Sequence, residues 1–465
     1  MRIAIVSVLL AASAAVTAVI VVAFDLFRPV RDTVPLVLGT VALWILFALA
    51  VIVLRKVQGK AVVMLVLAGS VLIGGAAMAG PPNTSTDSAR YAWDGIVQNA
   101  GISPYAYVPS DERLDGLRPD WLFPAPVDGE DGPACVGERI ETVDRDTAVP
   151  LCSALNRTTV PTIYPPAAEI YFVAVRAVVG ADAGYWPLQL TGLFLSVGIT
   201  GMLLVGMRRR GIDQRHAALW AWCPLVATEG VTNSHVDLLG VAFVLAAAFW
   251  VSSGKYFRGG IMLGVAIGVK LIPAVAAPAM LKRQGWKVVV AAVVTFALLY
   301  VPYVLATGIG VLGYLPGYLT EEGYEDGSRF ALVSLIAPGS SAIVVAALLL
   351  AGLAALTIWK TDPDRPWLGQ LVMIGGTLLV LSPRYPWYAL LLLPFIALSG
   401  RWEWLAIPLA LTFRLLVPSL TDTRVSLAMA LVVIVIVSVR RAGPGALQRW
   451  RGALTRSAPP SGQRS

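Results

Sequence analysis

Residues 34–60 read VPLVLGTVALWILFALAVIVLRKVQGK, and this stretch decides the class of the fold. Twenty-one residues without a formal charge run up to Arg55, Lys56 and then Lys60. As a helix, at ~1.5 Å per residue, such a segment crosses the ~30 Å hydrocarbon layer of a bilayer. Comparable stretches recur near 3–24, 61–80, 186–207, 217–230, 236–252, 287–306, 341–359, 367–382, 386–399, 403–417 and 424–438, several of them short. Of the 465 residues 57% are hydrophobic and 14% charged, with mean hydropathy +0.74, which excludes an ordinary water-soluble domain. The expected fold is therefore an all-α polytopic integral membrane protein, a bundle of about 12–14 transmembrane helices with one large external loop.

The net charge of +8 sits in short loops, which argues for topology rather than for nucleic acid. Arg55, Lys56 and Lys60, then Arg208, Arg209, Arg210 and Arg215, then Lys255 and Arg258, then Lys282, Arg283 and Lys287 mark the cytoplasmic side by the positive-inside rule. The N-terminal stretch lacks a small-residue cleavage site and reads as the first span. Four regions follow: 1–80, the first three transmembrane helices; 81–185, a large extracytoplasmic loop ending in an interfacial helix; 186–438, the rest of the bundle; and 439–465, a basic cytoplasmic tail expected to be disordered. Gly259 to Leu281 must return to the side it left, and Lys270 and Pro273 interrupt it as a broken or re-entrant pair.

Residues 81–166 carry thirteen Asp or Glu, six Arg and no Lys, unlike any other part of the chain. Counting spans from the Arg55 loop places them outside, in an oxidising compartment where Cys135 and Cys152 can pair; two free thiols are the alternative. Within this loop, 90–109 reads RYAWDGIVQNAGISPYAYVP. Tyr91, Trp93, Tyr105 and Tyr107 offer faces for a sugar ring, and Asp94 offers a carboxylate that can take a proton from a hydroxyl nucleophile. A simple ion pair with Arg90, one helical turn earlier, is the competing reading of Asp94.

Three further clusters are polar where the chain should be apolar. Residues 162–172, TIYPPAAEIYF, add Tyr164 and Glu169; residues 229–240, EGVTNSHVDLLG, add Glu229, Asn233, His235 and Asp237. These groups are costly at a bilayer edge unless they line a hydrated cavity, although helix capping also accounts for Asn233. Residues 382–395, SPRYPWYALLLLPF, add Arg384, suited to a lipid phosphate or to snorkelling, and Tyr385. Lys270 lies in an apolar segment and calls for a polar cavity or an interface; Arg329, after the acidic run Glu321, Glu322, Glu325 and Asp326, is a weaker candidate.

Taken together, WDG, G-x-x-PY, YPP-x-AE, TNSHVD and SPRYPWY resemble the GT-C glycosyltransferases, and among them the bacterial mannosyltransferase-like family 87. The resemblance implies a hexosyltransferase that takes a sugar, mannose being the preferred one, from a polyprenyl-phosphate carrier. It implies transfer to a lipid or lipoglycan acceptor on the external face of the cell membrane, with inversion. Asp94 is then the base; Arg90, Trp93, Tyr105, Tyr164, Glu169, Asn233, His235, Asp237, Lys270, Arg384 and Tyr385 bind substrate; membrane lipids are the other partners. Asp94 has no second acid two residues away, so neither a metal nor another cofactor is expected. A transporter or flippase of a lipid-linked sugar is the alternative, and a scaffold subunit a third; loss of sugar transfer on changing Asp94 separates the enzyme from both.

Overall fold

The computed structural model describes residues 1–27, 33–129, 132–137, 139–143, 149–324, 327 and 329–443. The tail beyond Gly443 and the acids Glu325 and Asp326 lie outside the described residues. Helices dominate: α1 (Arg2–Ala23), α2 (Thr33–Leu54), α3 (Lys60–Ala76), α4 (Asp87–Asn99), α5 (Pro166–Val179), α6 (Trp186–Arg209), α7 (Ala218–Ala221) and α8 (Asp237–Val251) form the first half. They are followed by α9 (Tyr256–Val269), α10 (Gly285–Thr307), α11 (Leu315–Glu321), α12 (Ser341–Lys360), α13 (Trp367–Leu381), α14 (Leu393–Ser399), α15 (Ala406–Leu416) and α16 (Leu420–Ala442).

Among the described residues, α1, α2, α6, α12, α16 and the segment opened by α10 are the six helices long and apolar enough to span a membrane. Their outer faces show why. Val293, Leu298, Leu305 and Leu348 are exposed, which in water would be a liability and against acyl chains is none. The protein is thus an all-α polytopic membrane protein, with fewer full-length spans than the expected 12–14. The shortfall lies between α2 and α16, where α3, α9, α13 and Pro386–Ser399 are apolar but shorter, and where Val226–Thr232, a π-helix, meets α8 at a bend of 115°. Each break falls at residues that carry polar side chains: Asn233 to Asp237, Lys270, and Ser382 to Tyr385. Residues lining water need not continue a helix, and the broken ends converge on one place.

The long loop is built on α4 and α5, which pack together through a buried aromatic cluster. Tyr91 stacks on Phe172 with ring centroids 4.5 Å apart, and Tyr164 meets Tyr91 edge-on at 5.0 Å. Gly95 lets the helices close, because a Cβ there would stand 2.5 Å from the Phe172 carbonyl oxygen. Beyond them lie two small antiparallel hairpins, Val127–Gly129 with Gly132–Ala134 and Glu141–Val143 with Leu151–Ser153. Cys135 and Cys152 are joined across 17 residues of sequence, linking the first hairpin to the second. Breaking this closure by Cys135→Ala is expected to cost about 3 kcal/mol of loop stability by the chain-entropy account. Limited proteolysis of the loop, with and without reductant, measures it.

Candidate active site

A cavity of ≈ 720 Å³ opens where the start of α4 faces the broken ends of α9 and α13. One wall is the segment Thr84 to Asp87, which runs into the first turn of α4. Lys270, Arg157 and Arg329 bring positive charge, Tyr164, Tyr318, Tyr385 and Tyr388 bring phenols, and Leu271, Ile272 and Val275 form an apolar flank. Glu141 is a second acid of the lining.

The carboxylate at the start of α4 that meets this cavity is that of Asp87. Its side chain keeps 17% exposure, whereas that of Asp94, two turns further along the same helix, keeps 2%. Burial pushes the Asp87 carboxyl above its ordinary range, while Lys270 and Arg157 pull it back. The preceding strand of chain is held from behind by Asn233. Its Oδ1 accepts the backbone N–H groups of Asn83 at 3.1 Å and Thr84 at 3.0 Å, and its Nδ2 donates to the Thr84 hydroxyl at 2.7 Å. Thr84 in turn donates to Glu229 at 3.2 Å.

Asn233 reaches this position because the chain turns sharply after the π-helix. Ser234 has φ +55°, a left-handed conformation that a side chain adopts at some cost and that here reverses the chain between two helices. The next residue, His235, then lies between two acids, 3.6 Å from Asp87 and 3.2 Å from Glu229, and stacks on Trp387 at 3.8 Å. Trp387 continues the stack to Tyr385 at 4.4 Å, which is the element that carries Tyr385 into the cavity lining.

Lys270 follows the last residue of α9 in extended backbone, so its side chain leaves the helix axis. One N–H of its ammonium is given to Asp237 at 2.8 Å, and the group sits 4.7 Å from the centre of the Tyr388 ring. An ammonium has three N–H donors, so donor capacity remains for the cavity. Arg157, also in a left-handed conformation, pairs with Glu321 at 2.9 Å, a partner that is itself 39% exposed and screened by solvent. Arg329 is more committed, being buried against Glu322 and over the Tyr324 ring at 4.6 Å.

The structure therefore brings Tyr164, Lys270 and Tyr385 to the cavity, with Asn233, His235 and Asp237 directly behind its walls. Asp94 does not line it. Its carboxylate receives the Arg90 Nε–H at 2.9 Å, and the same guanidinium donates to the carbonyls of Val160 at 3.2 Å and Arg157 at 3.4 Å. Glu169 lies in the same buried layer, accepting from Thr162 at 2.8 Å and from Gln98 at 2.8 Å. Burial and the neighbouring Asp94 push the Glu169 carboxyl well above its ordinary range. Trp93 is buried against Phe123, and Tyr105 gives its hydroxyl to the Tyr164 carbonyl at 2.6 Å, so both serve packing here rather than the cavity surface. Arg384 is exposed and is absent from the described lining, because Tyr385 and Trp387 point inward on either side of Pro386. Arg157 lines the cavity where Arg384 does not. No spacing rule marks Arg157, since only the folded loop brings it to Lys270.

The model of glycosyltransferase family 87 matches residues 162–383. A polyprenol-phosphate-mannose-dependent alpha-(1-2)-phosphatidylinositol pentamannoside mannosyltransferase of Mycolicibacterium smegmatis is 25% identical over 354 residues, 69% of this chain and 78% of the relative. The protein of the same description from Mycobacterium tuberculosis is 25% identical over 259 residues, 53% of this chain and 56% of the relative. A GPI mannosyltransferase 1 of Gibberella zeae is 36% identical over 83 residues, 17% of this chain and 19% of that one. No solved structure matches.

Proposed function

We infer the reaction from one premise: this chain belongs to glycosyltransferase family 87 and is a membrane hexosyltransferase. The donor is polyprenyl-phosphate mannose, as named for the mycobacterial relatives, and the acceptor is a hydroxyl of a lipid-anchored glycan. The acceptor oxygen attacks C1 of the mannose, Asp87 takes its proton, and the bond from C1 to the phosphate oxygen breaks. The leaving phosphate carries its charge toward Lys270 and Arg157. One base and a cationic pocket suffice, because a phosphate leaves without a proton when cations stabilise it.

The observation that carries this reading is the presence of the Asp87 carboxylate and the Lys270 ammonium on the walls of one cavity with an apolar flank. The flank suits the first isoprene units of the carrier. Glu169, a second acid for a retaining route, is turned into the α4–α5 contact, and the inverting route has Asp87 as its one base, with Glu141 the other acid of the lining. The cavity faces the outside of the cell membrane, since α13 starts beside the basic groups Lys360 and Arg365 and ends beside the site.

The test is transfer of radiolabelled mannose from synthetic polyprenyl-phosphate mannose to a membrane lipid extract, with the anomeric configuration of the product read by NMR. Product of inverted configuration supports the reading. Movement of the intact lipid-linked sugar across a vesicle membrane, without transfer, replaces it with the flippase. The pH profile adds a second check. A base must be ionised to act, and the Asp87 carboxyl is held above its usual position. The acid limb of kcat/KM is therefore expected above the ordinary Asp value of ~3.9, with activity falling as pH drops through it.

A further inference from the structure

A second cavity, of ≈ 610 Å³, lies where α12 ends and α13 begins. The 15 residues of α13 separate it from the site above, about 22 Å along the helix at ~1.5 Å per residue. Its lining is divided in character. Leu356, Trp367 and Val372 make an apolar side; Lys360, Arg365 and Arg401 make a basic one, with Asp362 the acid among its described lining residues.

The basic groups are not consumed by the fold. Arg401 stands 3.7 Å from Glu403, but that carboxylate is held more closely by Arg441 at 3.0 Å. Lys360 rests its ammonium over the Trp359 ring at 3.6 Å, which leaves its N–H donors available. Arg365 has no ion pair among the described residues. Between them sits Thr361, whose hydroxyl is turned against Gly369 of α13 and leaves the charged lining of the cavity to the three cations and Asp362.

We propose that this cavity binds the phosphate of an anionic membrane phospholipid, with Lys360, Arg365 and Arg401 around the headgroup and an acyl chain against Leu356, Trp367 and Val372. Charge complementarity selects the anion, and the apolar side selects a lipid over a free phosphate. The site is distinct from that of the lipid-linked sugar, and the proposal stands whether or not mannose is the sugar transferred.

The test is native mass spectrometry of the full-length protein, delipidated in detergent, with phosphatidylglycerol or with phosphatidylcholine of the same acyl chains, and with inorganic phosphate as competitor. Wild type is expected to retain phosphatidylglycerol preferentially. At about fivefold per basic side chain, Lys360→Gln with Arg401→Gln is expected to weaken that retention about 25-fold. Val372→Trp fills the apolar half without changing charge, and is expected to abolish retention of both lipids at an unchanged melting temperature. Equal retention of the two lipids, indifference to both variants, or displacement of lipid by equimolar inorganic phosphate overturns the proposal.

Discussion

The Asp87→Asn variant is expected to transfer mannose about 10²- to 10⁴-fold more slowly than wild type, the usual contribution of a positioned general base, while still binding donor and melting normally. The amide has the size of the carboxyl and keeps the contact with Asn156, 3.5 Å away, but it cannot accept the acceptor's proton. Asp94→Asn is the informative contrast. It removes the anion from a pair whose side chains are 7% and 2% exposed, and an unpaired buried guanidinium destabilises a fold by about 3–5 kcal/mol. Its main effect is then a lower melting temperature, with kcat of the folded fraction largely kept. Arg90 also holds the carbonyls of Arg157 and Val160, so some loss of donor affinity is expected alongside. Measuring kcat, KM and melting for both variants separates the roles. Abolished turnover in Asp94→Asn at an unchanged melting temperature would return the base to that residue.

Lys270→Met is the second large expected effect, and it falls on two quantities at once. Removing the ammonium takes away a donor for the leaving phosphate and leaves Asp237, 7% exposed, without its 2.8 Å partner. The stability loss from an uncompensated buried charge is about 3–5 kcal/mol. Adding Asp237→Asn neutralises that charge, so the double variant is expected to recover most of the melting temperature. Turnover is not expected to recover if Lys270 is, as proposed, the cation that meets the phosphate, because it is still missing. Recovery of both together would make Lys270 a purely structural partner of Asp237.

Much of the fold was legible because long apolar runs ended by Arg or Lys have one physical meaning in a bilayer. The full-length helices α1, α2, α6, α10, α12 and α16 fall where those runs do. The number of spans was less legible, since Pro224, Pro273 and Pro386 sit in runs apolar enough to cross yet the chain breaks there to deliver side chains inward. The polar clusters at Asn233–Asp237, Lys270 and Tyr385 were readable for the same reason that they are costly elsewhere. What the pattern could not decide was which acid of α4 meets solvent. Asp87 and Asp94 are seven residues apart, nearly on the same face of a helix and about 10 Å apart along its axis. Tyr91 and Trp93 look like sugar platforms beside Asp94, and both are core residues. The signal that favoured Asp87 was present in the TSTDS run, a helix start, where a carboxylate stands at the end of the element rather than inside it.

The cradle built by Asn233 also sets an order of events. It grips the backbone of Asn83 and Thr84 across 150 and 149 positions of sequence. During synthesis the acid-bearing segment leaves the ribosome long before the residue that fixes it, and Lys270 follows later still. A partly made chain thus holds the proposed proton acceptor without its backing or its counter-charge. On the proposed assignment, sugar transfer begins only once residues 233 and 270 have joined the bundle, and unfinished protein in the membrane is expected to be silent rather than errant.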